Sequence, residues 1–111
     1  MVAKPITWIG SSLDDLRDFP QIARSRAGYQ LRRIQEGLMP SDWKTLPGVG
    51  SGVLEIRIHT GRQHRVIYIA SFKEAIYVLH AFEKKTQRTA RADLAIAKKR
   101  LAAVRHYRAR D

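Results

Sequence analysis

Basic side chains and histidines are concentrated in one short stretch of this sequence, residues 54–69. Between its apolar residues this stretch carries Arg57, His59, Arg62, His64 and Arg65. Guanidinium groups donate paired hydrogen bonds to phosphate oxygens and stay charged at any working pH. Imidazole moves protons near neutral pH. The stretch therefore predicts a site that handles a phosphate backbone.

Other reaction chemistries find little support in the sequence. There is no cysteine, no serine has the surroundings of a nucleophile elbow, and the glycines of residues 48–52 are not followed by Gly-Lys-Ser/Thr. Apart from Glu55 and Glu83, the histidines lack acidic neighbours at ligand spacing, so neither a metal nor another cofactor is expected. RNA cleavage suits this inventory, because the ribose 2′-hydroxyl is itself the nucleophile.

Two predicted strands contribute candidates to this site. Alternation along the first hairpin strand places Arg57 on one face with Glu55 and His59. On the last predicted strand, His80 shares a face with Lys84, which lies where that strand ends. The alternative interpretation of His80 is a core histidine bonded to backbone.

The length of the hairpin loop decides which residue faces Arg57. A two-residue loop, residues 60–61, would pair Arg57 with His64. A three-residue loop with a bulge, residues 60–62, would pair Arg57 with Arg65. The sequence leaves both registers open.

The first half of the chain predicts one strand and two helices. Residues 4–9 are β-branched and aromatic and predict a strand at a sheet edge, or one that begins after Pro5. Residues 12–18 predict a short helix capped by the serine hydroxyls of residues 11–12. A helix follows Pro20 over residues 21–37.

The second half predicts a loop, three strands and a helix. Residues 39–52 hold enough proline and glycine to predict a long loop without regular structure, pinned to the body by Trp43. After the hairpin, residues 75–82 are almost wholly apolar and predict a strand buried on both faces. Thr89 is expected to cap a last helix over residues 90–107.

This order, β-α-α-β-β-β-α, predicts a two-layer α+β domain spanning residues 1–111, with a mostly antiparallel sheet packed against helices. Lys and Arg number 21 against 10 Asp and Glu, a net charge of +11 that predicts a polyanionic partner. Most of the excess lies beyond residue 84, where the alternative is a solvated basic helix. No signal peptide or membrane span is indicated, so a cytoplasmic location is expected.

The helix of residues 21–37 carries a second, mixed face beside its apolar one. This face consists of Ile22, Arg26, Tyr29 and Arg33. It indicates either a docking surface for an acidic, amphipathic partner or a covered surface with extended arginine side chains.

Several segments together resemble the RelE/ParE toxin superfamily, with its HigB-like, phage-derived branch the nearest. The similar segments are residues 52–57, residues 64–68, residues 79–87 and the basic last helix. The phrase Phe-Glu-Lys-Lys-Thr-Gln at residues 82–87 is the most specific of them. The resemblance extends from about residue 6 to residue 104.

The resemblance implies the toxin of a type II toxin–antitoxin system, a metal-independent endoribonuclease that cleaves mRNA on the ribosome and leaves a 2′,3′-cyclic phosphate. Its partners would be a cognate antitoxin, mRNA and ribosomal RNA. The family's hairpin arginine matches Arg65, its preceding basic position matches Arg57, and the basic residue after the last strand matches Lys84 or Lys85. Glu55 stands where the family has a lysine.

These inferences assign residues to three functions. The catalytic candidates are Arg57, Arg65, Lys84, Lys85, His64 and His80. The candidate RNA contacts are Lys44, His59, Arg62, Arg88, Arg91 and Lys98. The mixed helix face would bind the antitoxin, and the general acid and base stay open between His64, His80 and Glu55. Two alternatives are a ParE-like gyrase-inhibiting toxin and a non-catalytic nucleic-acid-binding module.

Overall fold

Five strands and three helices follow one another in residues 3–110, the part of the chain that the computed structural model describes. In chain order they are β1 (Ile6–Trp8), α1 (Ser12–Arg17), α2 (Gln21–Gln35), β2 (Trp43–Thr45), β3 (Val53–His59), β4 (Gln63–Ile69), β5 (Ile76–Glu83) and α3 (Arg91–Ala109).

The strands form a single sheet in the order β1-β5-β4-β3-β2. The pair β1–β5 is parallel and the three other pairs are antiparallel. The predicted α+β class with a mostly antiparallel sheet is confirmed. β1 begins after Pro5 and lies at the sheet edge, as its sequence indicates.

The helices cover the sheet from both sides. α1 and α2 pack on one face, where Ile56, Val66 and Val78 are buried. α3 packs on the other face against Val53 and Ile67. β5 is buried on both faces, as predicted from its continuous apolar sequence.

The prediction of residues 39–52 as a loop without regular structure is wrong, because β2 lies within it. β2 is short enough to fit between Pro40 and Pro47, and it pairs with β3, Lys44 opposite Glu55. Trp43 does not pin this segment, since the side chain is 40% exposed. Leu46 and Val49 are buried there instead.

Neither predicted hydroxyl cap forms, although Ser11 is the N-cap residue of α1, as predicted. The Ser11 hydroxyl donates to the Asp15 carboxylate over 2.7 Å and caps no backbone N–H group. α3 has Ala90 as its N-cap residue, without a side-chain cap. Thr89 instead donates to the Glu55 carboxylate, 3.1 Å away. In both places the hydroxyl donates a hydrogen bond to a carboxylate and accepts none from the backbone N–H groups of the helix start.

None of the helices found between residues 3 and 110 combines the length and the apolar character that a membrane crossing needs.

Candidate functional site

The hairpin β3–β4 has a three-residue loop, residues 60–62, and this settles the register. Gly61 takes a φ of +93°, which glycine adopts without a steric penalty. Arg57 consequently lies opposite Arg65, and Ile58 lies opposite His64. Arg57 and Arg65 therefore share the α3 side of the sheet, while His64 points to the α1 side.

A buried ion pair lies at the base of this face. Arg65 is 2% exposed and Glu55 is 0% exposed, with 3.6 Å between Arg65 Nε and Glu55 Oε1. The Arg65 guanidinium also donates to the His64 carbonyl over 2.9 Å. Thr89 donates to the second oxygen of Glu55. Burial lowers the pKa of Arg65, and the charge of Glu55 opposes this shift.

Three further cations surround this pair. Lys44 comes from β2, Arg57 from β3, and Lys84 follows the end of β5, where its N–H donates to the Gln63 carbonyl over 2.7 Å. The charges of Arg65, Glu55, Lys44 and Arg57 all act on the Lys84 ammonium. We call these five residues, Lys44, Glu55, Arg57, Arg65 and Lys84, the cationic cluster.

Protonation within the cluster is perturbed at Lys84. Burial lowers the pKa of its ammonium, and the positive charge of Arg65 lowers it further. Lys44 and Arg57 act in the same direction, while Glu55 opposes them. A lysine with a lowered pKa is more often neutral near working pH, and a neutral amine accepts protons.

Arg57 and Lys84 are the half-buried cations of the cluster, and Lys44 is exposed. Within residues 3–110, the side chains of these three cations form no ion pair, and the buried Arg57 Nε has no hydrogen-bond partner. Arg65 Nε also has no hydrogen-bond partner there, but the Arg65 side chain is enclosed, is ion-paired with Glu55 and donates to the His64 carbonyl. An incoming anion thus meets Arg57, Lys84 and Lys44 first.

The structure does not bring His64 into the cluster. Its ring lies 4.5 Å from that of Phe19 on the opposite side of the sheet. Burial lowers the pKa of His64, while the charge of Glu83 raises it. A cavity of about 360 Å³ adjoins His64 on that side, lined also by Phe19 and Pro20.

His80 lies on the cluster side of the sheet but is occupied by other contacts. Its Nε2 lies 2.7 Å from the Asp93 carboxylate, and its ring stacks on Phe82 at 4.9 Å. The side chain is buried and joins β5 to the first turn of α3. The alternative interpretation of His80, a core histidine bonded to backbone, is thus correct in its burial, but the polar partner is the Asp93 carboxylate.

The remaining candidate RNA contacts fall into two groups. His59 and Arg62, near the hairpin loop, are paired with Asp42 and Glu83, respectively. The second group is exposed along the segment after β5 and on α3, and consists of Arg88, Arg91 and Lys98, together with the catalytic candidate Lys85, which the structure places with them. No member of this group takes part in an ion pair between residues 3 and 110. These cations are free to extend the cluster's positive surface.

The mixed face of α2 is only partly available to a partner. Arg26 donates to the His59 carbonyl over 2.6 Å, and Arg33 donates twice to the Met39 carbonyl. Ile22 and Tyr29 are 54% and 59% exposed. Two arginines thus close loops of the chain itself, while the apolar members face outward.

Sequence reasoning missed two residues that hold the site together. Thr89 bonds Glu55, and Asp93 bonds His80. Both flank the start of α3. A threonine or an aspartate is common at that position, as a cap or as a charge in the first turn, so neither residue type indicated a distant partner. The sequence carried no signal for either contact, because the need of Glu55 for a partner follows from its burial, which only the fold establishes.

A mostly antiparallel sheet between helices, with cations gathered on one sheet face, defines a small basic α+β protein. The family described as phage derived protein Gp49-like (DUF891) matches residues 14–102, and this chain belongs to that family. No curated protein matches the chain.

Proposed function

We propose that this chain is the toxin of a type II toxin–antitoxin pair, in the HigB-like branch, and that it cleaves mRNA on the ribosome. Membership of a toxin-like family supports the first part. The observation that supports the second is the cationic cluster, in which three cations without an ion pair in the described residues 3–110 surround a buried Glu55–Arg65 pair. Such a cluster suits the charge of an RNA backbone at a bend.

In this proposal Arg57 holds the non-bridging oxygens of the scissile phosphate, because its planar fork matches that geometry. Lys84 in its neutral form takes the proton from the ribose 2′-hydroxyl. The 2′-oxygen attacks phosphorus, the bond from phosphorus to the 5′-oxygen breaks, and that oxygen takes up a proton from solvent. The products are a 2′,3′-cyclic phosphate and a 5′-hydroxyl end.

Arg65 then acts from beneath the phosphate. Its charge adds to the positive field of the site, since a charge acts over longer range where water is excluded. Glu55 holds the guanidinium in place and limits the net charge of the cluster. The reaction as proposed routes no step through a metal ion.

Binding to the ribosome extends beyond the cluster. Lys85, Arg88, Arg91 and Lys98 provide exposed cations for mRNA and ribosomal RNA phosphates. The antitoxin is the protein partner that restrains the activity, and both act in the cytoplasm.

The test is inducible expression of this chain with and without the neighbouring gene, followed by mapping of transcript 5′ ends. We expect growth arrest and new 5′ ends only without the neighbouring gene. Arg57→Ala should abolish both, while Lys99→Ala, an exposed cation outside the cluster, should abolish neither. A DNA-damage response without new 5′ ends would contradict the proposal and indicate the gyrase-inhibiting alternative.

A further inference from the structure

A groove lies between β1 and the C-terminal half of α3, on the α3 side of the sheet. Its volume is about 1150 Å³. Small-molecule pockets are typically ~300–1,000 Å³, so the groove exceeds that range. Its floor and walls include Ile9, Phe72, Tyr77 and Val104. The size and the apolar lining suit a segment of polypeptide.

The strand beside this groove has an open edge. The Pro5 carbonyl and the Ile9 N–H both bond β5, so the backbone groups of Ile6 and Trp8 point away from the sheet. At Lys4 the corresponding outward groups are bonded to Gln35. No such partner from outside the sheet reaches the backbone of Ile6 or Trp8 within residues 3–110. An open edge of this kind accepts another strand.

The groove and the edge lie next to each other. Thr7 lines the groove, while Ile6 and Trp8 pack toward the opposite face of the sheet. A strand added beside β1 would therefore place every second side chain over the groove. One extended segment can use both features at once.

We propose that an extended segment of the antitoxin pairs with β1 and fills this groove with alternate apolar side chains. The inference rests on the proposed function, which supplies the partner. The segment carries acidic residues between or beside its apolar ones.

The charge around the groove favours an acidic occupant. Arg105 and Arg108 lie along the α3 wall, and Arg108 is held by Glu74 and by the Phe72 ring. Arg105 has no ion-pair partner in the part of the chain that the structure describes. A second copy of the chain would bring another +11 net charge to this surface, which opposes self-association.

The mixed face of α2 is the competing surface, and its contacts favour it less. Its arginines already donate to carbonyls of the chain. The groove instead combines an apolar lining with backbone groups and an arginine, Arg105, that have no partner among residues 3–110. These are the three contributions that strand addition uses: hydrogen bonds, side-chain pockets and charge.

The test measures binding of the neighbouring gene's product to the purified chain by calorimetry, and amide hydrogen exchange with and without it. We expect the amides of Ile6 and Trp8 to become protected in the complex. Thr7→Glu and Arg105→Glu should each raise the dissociation constant at least about tenfold, because they set like charges against the segment. Lys99→Glu, the same charge reversal elsewhere on α3, should change it less than about threefold.

Two further readouts keep the outcomes separate. Thermal unfolding of each variant reports whether the fold is intact. Cleavage of ribosome-bound mRNA, measured without the neighbouring gene's product, should be unchanged in Thr7→Glu and Arg105→Glu. Protection confined to residues 22–33, or the absence of binding, would overturn the groove assignment. Binding at β1 without cleavage of ribosome-bound mRNA by the wild-type chain would overturn the proposed function and leave the groove assignment standing.

Discussion

At the scale of single residues, the buried pair Arg65–Glu55 contributes to the stability of the fold as well as to the proposed site. Both side chains are enclosed, and each is the main charge partner of the other. The sequence predicts that Arg65→Ala abolishes toxicity in a folded protein. Burial changes the meaning of that experiment, because removing Arg65 also leaves a buried carboxylate without its cation. Arg57, which is half-buried and unpaired within residues 3–110, gives the cleaner test of phosphate binding.

Removing one member of the buried pair should destabilise the fold strongly. We expect Glu55→Ala to lower the free energy of unfolding by about 3–5 kcal/mol, the usual cost of an uncompensated buried charge. Urea denaturation measures this. The double variant Glu55→Met with Arg65→Met should lose less than either single Met variant. A double variant whose loss equals the sum of the two single losses would show that the two charges are not coupled.

Lys84 should give the reaction a pH dependence. Burial and Arg65 lower the pKa of its ammonium, so the neutral fraction rises with pH and reaches one half below the usual lysine value of 10.5. If neutral Lys84 is the base, the single-turnover cleavage rate rises with pH by about tenfold per unit below that pKa. Lys84→Arg, which stays charged, should remove this rise. An unchanged profile in Lys84→Arg would exclude Lys84 as the base.

At the scale of elements, the loop of residues 60–62 decides which side chains meet. A hairpin one residue shorter would set His64 opposite Arg57, and the cluster would lose Arg65. The sequence allowed both loops, because Gly61 fits either one. Only the packing of the full sheet selects between them.

The left-handed conformation of Gly61 predicts that a side chain at this position lowers the stability of the fold. Gly61 has a φ of +93°, and a side chain there would meet no neighbour within 4 Å. We therefore expect Gly61→Ala to lower the free energy of unfolding by about 1–3 kcal/mol through backbone strain alone. Gly28→Ala is the matched control, since Gly28 is helical with equally open surroundings. It should raise stability by about 1 kcal/mol, and a loss there would contradict the account.

Long elements with a regular apolar period were predicted correctly from the sequence. Short elements and side-chain contacts, which have no period, were not. The apolar stripe of α3 is buried at Ala97, Leu101 and Val104, as its spacing indicates. β2 was missed because three residues between prolines carry no period. The partners of Thr89 and Asp93 were missed because they lie far away in sequence, and a local cap explains each residue type equally well.

At the scale of the whole molecule, the sequence gives the net positive charge but does not show that the fold divides this charge between two surfaces. The net charge of +11 indicates a polyanionic partner in general. The fold separates the cationic cluster, which extends from β2 to the end of β5, from the arginines along the groove beside β1. We propose the first surface for RNA and the second for an acidic protein, and no feature of the linear sequence distinguishes the two.

Salt should weaken RNA binding in proportion to the phosphates that the site contacts. If Lys44, Arg57, Lys84 and Lys85 each contact one phosphate of a single strand, the slope of log affinity against log salt is about −3. Fluorescence anisotropy with a labelled RNA measures it. Lys44→Gln should make the slope shallower by about 0.7, whereas Lys99→Gln should leave it unchanged. Equal effects of both variants would indicate a diffuse surface without a site.

The most direct measurement is the cleavage rate of a defined mRNA in a translation system of purified components. We expect the wild-type chain to cut the ribosome-bound message and to leave a 2′,3′-cyclic phosphate. Arg57→Ala should lower the rate by about 10²–10³-fold, the usual effect of losing one donor to the transition state. A wild-type chain that binds ribosomes without cutting, or an Arg57→Ala variant that cuts at full rate, would contradict the proposal.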